Sequence, residues 1–112
     1  MRTASEVANV IESLDAFVVR ELSGSIRPAI YVNCRSDIVR QAAGGSILHV
    51  LILAAVLHHE AQHVLGASEP EARRAELVFF QSLIARGYIA PEAGHRHLAL
   101  LTRQARRPQE IR

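Results

Sequence analysis

The chain has 112 residues, of which 49% are hydrophobic and 21% charged, so its size and composition are those of one globular domain. The longest strictly apolar run, Val50–Leu57, is shorter than the roughly 18 residues that a membrane-spanning helix needs. The N-terminus lacks the basic and apolar segments of a secretory signal. The single cysteine, Cys34, excludes an internal disulfide and a cysteine-based metal cluster. We therefore expect one cytoplasmic domain, residues 1–112, with no membrane partner.

The charge pattern disfavours a nucleic-acid partner. All 13 basic residues are arginines, and the formal net charge is only +2. From Arg86 onward there are six arginines and two glutamates, which a solvated helix face explains. Aromatic residues make up 4% of the chain and tryptophan is absent, so no platform for base stacking is evident. Nucleic-acid binding by an arginine-rich C-terminal helix is therefore the least favoured of three functional hypotheses. The other two follow from the residues described below.

The first half of the chain predicts a helix, a strand and one ambiguous segment. Thr3–Leu22 is predicted to be an amphipathic helix, because its apolar residues recur at intervals of three and four. Ile26–Val32 is rich in β-branched and aromatic residues and predicts a strand, which Pro28 places at a sheet edge or a strand start. Asp37–Ala43 fits either a second strand or a short helix. The apolar positions of the first helix are Val7, Val10, Ile11, Leu14, Phe17, Val18 and Leu22.

The second half predicts three more helices. Ile47–Leu65 is apolar nearly all round in its first half, which is typical of a central, buried helix, and Gly66 follows it as a terminator. A further helix begins after Ser68 and ends at Arg86, and a last one begins at Pro91. About four helices with a short sheet of two or three strands make an α+β domain.

The segment His59-Glu60-Ala61-Gln62-His63 contains the pattern His-Glu-x-x-His on a predicted helix. Residues four apart lie on one helix face, so His59 and His63 can bind one zinc ion, and Glu60 beside them can take a proton from metal-bound water. Ordinary core or surface histidines would give the same pattern by chance. The motif, however, follows an apolar run in the same helix, where a charged glutamate and histidines are costly unless something pairs with them.

A catalytic zinc site needs a third protein ligand, and three glutamates follow the motif. Glu69 and Glu76 are seven residues apart and share the apolar face of the next helix, where a carboxylate needs a partner. Glu71 is the third residue after Ser68 and completes a capping box, so we expect it to bind the backbone there. Glu69 lies nearer the turn and is the expected ligand, with Glu76 as the alternative.

The motif followed by Glu69-Pro70-Glu71-Ala72 resembles the gluzincin metallopeptidases, whose third ligand is a glutamate commonly followed by alanine three residues on. In length and layout the chain resembles the minigluzincins, and in outline the phage-immunity zinc peptidases; the specific match covers residues 46–86. Two features depart from the pattern. Arg73 stands where gluzincins often have Asp or Asn, and the short spacing to Glu69 matches the third-ligand position of metzincins. Metzincins also need a methionine turn, and the only methionine is Met1.

The resemblance implies a zincin-like fold and a zinc metallopeptidase, a hydrolase that uses Zn2+ and Glu60 to cleave a peptide or protein substrate. It also implies that the edge strand, here Ile26–Val32, pairs with the extended substrate. Tyr88, His95 or His97 would then donate to the developing oxyanion. The alternative is a zincin-like domain that binds zinc but acts as a regulatory or protein-interaction module, with weak cleavage or none.

Overall fold

The computed structural model describes residues 14–106, with side chains to residue 104. Two short strands come first and four helices follow. They are β1 (Ala16–Phe17), β2 (Tyr31–Val32), α1 (Asp37–Ala43), α2 (Ile47–Val64), α3 (Glu69–Ala85) and α4 (Pro91–Arg106). The described part of the chain is thus a small α+β fold with four helices and a two-stranded antiparallel sheet, as the sequence predicted.

The predicted helix Thr3–Leu22 is wrong over its described part, because residues 16–17 form β1; residues 3–13 lie outside the described residues. Phe17 pairs with Tyr31, and their rings stack with centroids 5.4 Å apart. The chain reverses at Gly24, whose φ of 91° is the left-handed conformation that glycine adopts most easily. Pairing with a distant strand outweighs the local helical spacing, since strand formation depends on cross-strand contacts.

The predicted strand Ile26–Val32 is regular only at Tyr31–Val32, apart from an isolated bridge between Ile26 and Arg20. The ambiguous segment Asp37–Ala43 is a helix, α1. Ser36 caps this helix by accepting from the backbone N–H of Val39. The Ser36 hydroxyl also donates to the carboxylate of Asp15, which ties the start of α1 to the start of β1.

Helices α2 and α3 form a hairpin with a four-residue connection, residues 65–68. Gly66, with φ 100°, ends α2, and the N–H of Ala67 returns to the carbonyl of Gln62 at 2.9 Å in a Schellman arrangement. The predicted capping box at the start of α3 is confirmed: Ser68 and Glu71 each bind the other's backbone N–H. These two local signals place the end of α2 beside the start of α3.

The core lies between α2, α3 and α4, with Phe80 completely buried at its centre. Ile52, Ile89 and Leu101 pack around it, each 6% exposed or less. Gly94 of α4 brings that helix close to α3, because a Cβ at this position would lie 2.7 Å from the Ile84 side chain. Helices α3 and α4 therefore pack closely against each other at Gly94.

Helix α2 is central, contacting β1, α1 and α3, but it is more exposed than the central, buried helix that the sequence predicted. Only Ile52 and Ala55 of α2 are buried, and Ile47 and Val50 are 72% and 46% exposed. Within the described residues, Ile47–Val64 is long and apolar enough to cross a membrane by length and composition, with a mean hydropathy of 1.2. The core helix of a soluble protein passes the same test, so this property assigns no membrane location.

Candidate metal centre

The α2–α3 hairpin brings His59, His63 and Glu69 together at the end of α2 and the start of α3. The two histidines are one helical turn apart on α2, and their rings meet edge to face with centroids 5.1 Å apart. Glu69 is the first residue of α3. Because the connection is only four residues long, the first carboxylate of α3 is delivered directly opposite the histidine face of α2.

The Oε1 atom of Glu69 contacts both histidines. It lies 2.6 Å from Nε2 of His59 and 3.2 Å from Nε2 of His63. One potential ligand atom from each of the three residues lies within 4.8 Å of the other two. Two imidazole nitrogens and one carboxylate oxygen are one of the donor sets found in catalytic zinc sites, which leave a fourth position open for water or substrate. The residues present therefore fit a zinc ion.

Both histidines are oriented through their other ring nitrogen. Nδ1 of His59 donates to Glu76 Oε1 at 2.7 Å, and Nδ1 of His63 donates to the carbonyl of Ala67 at 3.0 Å. Metal-binding histidines are held in this way, since a hydrogen bond at one nitrogen fixes the ring and directs the other nitrogen at the metal. The two Nε2 atoms accordingly turn towards the same carboxylate oxygen of Glu69.

Glu76 lies inside the protein, only 8% exposed, and its contact with His59 gives this buried carboxylate a partner. The shared inward face of Glu69 and Glu76, expected from helical phase, is seen in the structure. The two carboxylates reach different atoms of His59, however: Glu69 lies at Nε2 and Glu76 at Nδ1. This geometry favours Glu69 as a ligand and Glu76 as the residue that orients His59.

Without metal, the cluster forms a charged hydrogen-bonded pair. Burial alone would lower the pKa of His59, but its hydrogen bonds to Glu69 and Glu76, and their negative charges, raise it to about 9. The hydrogen bond from His59, opposed by burial, and the attraction of both histidines hold the pKa of Glu69 near 2. In the metal-free protein, the positive charge of protonated His59 thus lies where His59, His63 and Glu69 together would hold a metal ion.

Glu60 lies on the rim of this cluster, with Oε1 4.0 Å from Nε2 of His59 and its side chain 14% exposed. Burial, the largest influence, raises the pKa of Glu60 above its usual range, and the nearby Glu69 and Glu76 charges add to this effect although both histidines oppose it. A carboxylate whose pKa is raised towards neutrality is better suited to accept a proton at physiological pH.

His59, Glu60 and Glu69 line a cleft of about 320 Å³, which we call the His59 cleft, whereas His63 lines a separate pocket with Gly66 and Ala67. One side comes from β1 and the residues before it, and the other from α2, α3 and the end of α4. Its lining residues are Leu14, Asp15, Ala16, Val56, His59, Glu60, Glu69, Arg73, Glu76 and Gln104. The strand beside the cleft is therefore β1. Residues 28–30 of the predicted substrate-pairing strand instead line a separate apolar groove with Ala61, Val64 and Leu65.

The other sequence candidates do not line the His59 cleft, although His97 lies close enough to Glu76 and Asp15 for their charges to oppose the effect of burial on its pKa. Glu71 is exposed and engaged in the capping box, and its bonds to Ser68 lower its pKa. Tyr88 is 61% exposed, and His95 is also exposed. His97 faces the core against Phe80, and burial lowers its pKa. None of these side chains is among the described residues that line the cleft.

The sequence assigned no role to Arg73, which was noted only as a departure from the gluzincin pattern. The structure places this residue in the His59 cleft. Its Nε lies 4.0 Å from Glu69 Oε1, and its Nη1 donates to the carbonyl of Gln104 at 3.0 Å. Its position four residues after Glu69 places both side chains on one face of α3, which was the available signal.

Comparison with known proteins adds nothing to this geometry, since no protein-family model, curated protein or solved structure matches the chain.

Proposed function

We propose that this protein is a zinc-dependent peptidase, in which His59, His63 and Glu69 hold the ion and Glu60 is the general base. The proposal depends on one observation. Each histidine donates a hydrogen bond from Nδ1 to a protein acceptor, and the Nε2 atoms of both histidines contact the same oxygen of Glu69. An ordinary ion pair does not need two rings oriented in this way. Orientation through Nδ1 is typical of histidines that bind a metal.

When bound, zinc would supply a Lewis acid that polarises the scissile carbonyl and lowers the pKa of water at the site. Glu60 would accept a proton from the attacking water and return it to the nitrogen of the departing amine, so the proton is conserved within the site. Its position beside His59, with Oε1 4.0 Å from Nε2 of that residue, supports both transfers. Glu76 and the Ala67 carbonyl would keep the two imidazoles in place throughout.

The experiment that tests this function compares Glu60→Gln with the parent protein, using casein as an unfolded substrate and one equivalent of zinc. The substitution removes the base and keeps the size of the side chain. We expect the rate to fall by about 10²–10⁴, the typical contribution of a general base. Zinc content and the unfolding midpoint should stay unchanged, because Glu60 is not among the proposed ligands.

Glu71→Gln is the matched control, since glutamine also serves at this position of a capping box and Glu71 lies outside the His59 cleft. It should cleave casein as fast as the parent protein. Equal cleavage by Glu60→Gln and the parent would exclude Glu60 as the base. If the parent binds zinc and does not cleave, the zinc-binding interaction module becomes the better assignment.

A further inference from the structure

The His59 cleft contains a single arginine among the residues that the structure describes, and that arginine is Arg73. Its side chain is 31% exposed, so most of it is packed within the protein. Nη1 is tied to the carbonyl of Gln104, a residue 31 positions away on α4 that also lines the cleft. The guanidinium is therefore fixed between two helices at the edge of the proposed site.

A simple ion pair with Glu69 does not account for this placement. Surface pairs four residues apart on a helix contribute only a few tenths of a kcal/mol, and their side chains need no second anchor. The 4.0 Å separation from Glu69 Oε1 is also longer than a hydrogen bond, and that oxygen already contacts both histidines. Among the described side chains Nη2 of Arg73 makes no hydrogen bond, so part of the guanidinium fork remains available.

The charges around Arg73 make a cation at this point significant. Asp15, Glu60, Glu69 and Glu76 also line the cleft. Four carboxylates would repel an anionic group on a bound peptide, except where a fixed cation receives it. Guanidinium groups bind carboxylates with two parallel hydrogen bonds, which define the position of the carboxylate as well as its affinity.

We propose that Arg73 binds a carboxylate of the substrate, so that this protein acts on peptides that carry a carboxylate directly beside the scissile bond. This inference rests on the proposed peptidase function. The guanidinium lies 4.0 Å from the oxygen of a proposed zinc ligand, and one extended residue spans about 3.4 Å. A carboxylate bound to Arg73 would therefore lie within about one or two residues of the reacting carbonyl, a range that includes the C-terminal carboxylate when the last residue is released.

Binding of short peptides to the zinc-loaded protein tests this assignment without any cleavage. The probes are N-acetyl-Ala-Ala with a free carboxylate, the same dipeptide as its C-terminal amide, and N-acetyl-Ala-Glu amide, which carries a side-chain carboxylate alone. Calorimetry is performed in a Glu60→Gln background, so that no probe is hydrolysed. Zinc affinity is measured for every variant.

In the Glu60→Gln background we expect the free acid to bind about 10–100-fold more tightly than the dipeptide amide, the range for a charge-assisted hydrogen-bonded pair. Arg73→Gln should lower the affinity for the free acid to the affinity for the dipeptide amide. The affinity for the amide itself should not change. Arg73→Lys, which keeps the charge and loses the fork, should give an intermediate value. Arg74→Gln is the matched control, because Arg74 lies outside the His59 cleft in a different groove, and it should change nothing.

If N-acetyl-Ala-Glu amide depends on Arg73 and the free acid does not, the carboxylate is an acidic side chain and the assignment of Arg73 stands. Equal binding of all three probes before the Arg73 change, or equal weakening of all three probes by Arg73→Gln, would overturn it. A loss of zinc affinity without discrimination between probes would also overturn it, because Arg73 would then only support Glu69. Failure of the peptidase proposal is recognised separately, by the absence of casein cleavage.

Discussion

Glu76 Oε1 lies 2.7 Å from Nδ1 of His59, although 17 residues separate the two along the chain. This hydrogen bond joins the inner face of α3 to the ligand face of α2. It gives a partner to a carboxylate that would otherwise be costly to bury, and it directs Nε2 of His59 at Glu69. The core contact and the orientation of the site are thus one and the same interaction.

Replacing Glu76 tests whether it orients His59 or binds the metal itself. We expect Glu76→Gln to lower zinc affinity by about 10–100-fold, because the amide still accepts from Nδ1 but no longer places a negative charge behind the ring. Competition with a chelator measures this change. Glu92→Gln, at an exposed position in the first turn of α4, is the control. Complete loss of zinc in Glu76→Gln, with zinc retained in Glu69→Ala, would make Glu76 the third ligand.

Two neighbouring glutamates on α3 should behave differently. Glu69→Ala removes a proposed ligand and should weaken zinc binding by orders of magnitude, since a site with two protein ligands is far weaker than one with three. Glu71→Ala removes half of the capping box and should mainly lower the free energy of unfolding, by about 1 kcal/mol. Zinc titration and urea unfolding of both variants separate the two effects. Normal zinc affinity in Glu69→Ala would contradict this assignment.

The metal-free protein should lose stability as the pH rises from about 6.5 to about 9. The pKa of His59 is raised to about 9 in the folded state, so its contribution is complete below its unfolded pKa near 6.5 and is lost as the pH passes 9. Glu69, with its pKa near 2, contributes above its unfolded pKa near 4.5 and loses that contribution only as the pH falls towards 2. The plateau therefore lies between about 4.5 and 6.5.

We expect the unfolding free energy to decrease by about 2 kcal/mol over this rise in pH. The value is limited because Glu69 is partly exposed, and because the pKa shifts of His59 and Glu69 describe the same interaction and are not added. Urea unfolding of chelator-treated protein at several pH values measures it. His59→Gln cannot be charged, so its stability should vary less over the same interval. A parent protein that is equally stable at pH 6 and pH 9 would show that the His59–Glu69 pair does not stabilise the fold.

The elements that the sequence predicted well carry their signals locally. Ser68 and Glu71 define the start of α3 whatever lies around them, and Gly66 defines the end of α2. β1 was missed because its formation depends on pairing with Tyr31, fourteen residues further along, whereas the spacing of its apolar residues suits a helix equally well. Local signals thus determine the helices, and a distant partner determines the sheet.

The candidate site shows the same division. His59, Glu60 and His63 follow from a motif on one helix, and helical phase places Glu69 and Glu76 on one inward face. Phase does not distinguish a carboxylate at Nε2 of a histidine from one at Nδ1, because that difference depends on how two helices pack. The sequence therefore left both glutamates open as ligands.

Gly94→Ala should destabilise the protein, although alanine favours a helix by about 1 kcal/mol over glycine. The new methyl group would lie 2.7 Å from Cγ1 of Ile84 and 3.2 Å from Cγ2 of Ile89. Overpacking of this kind costs about 1–3 kcal/mol, so we expect a net loss of about 1 kcal/mol in thermal or urea unfolding. In an Ile84→Ala background, where space is available, the same change should be neutral or stabilising. A destabilisation of equal size in both backgrounds would contradict the steric explanation.

The connection at Gly66 also has a consequence for the order in which the molecule folds. His59, His63 and Glu69 fall within eleven residues, so closing the loop between them costs little chain entropy. A zinc ion could bind once the end of α2 and the start of α3 have formed, before α4 covers Phe80 or β1 pairs with β2. The ion would then stabilise the folding transition state, and it would speed folding more than it slows unfolding.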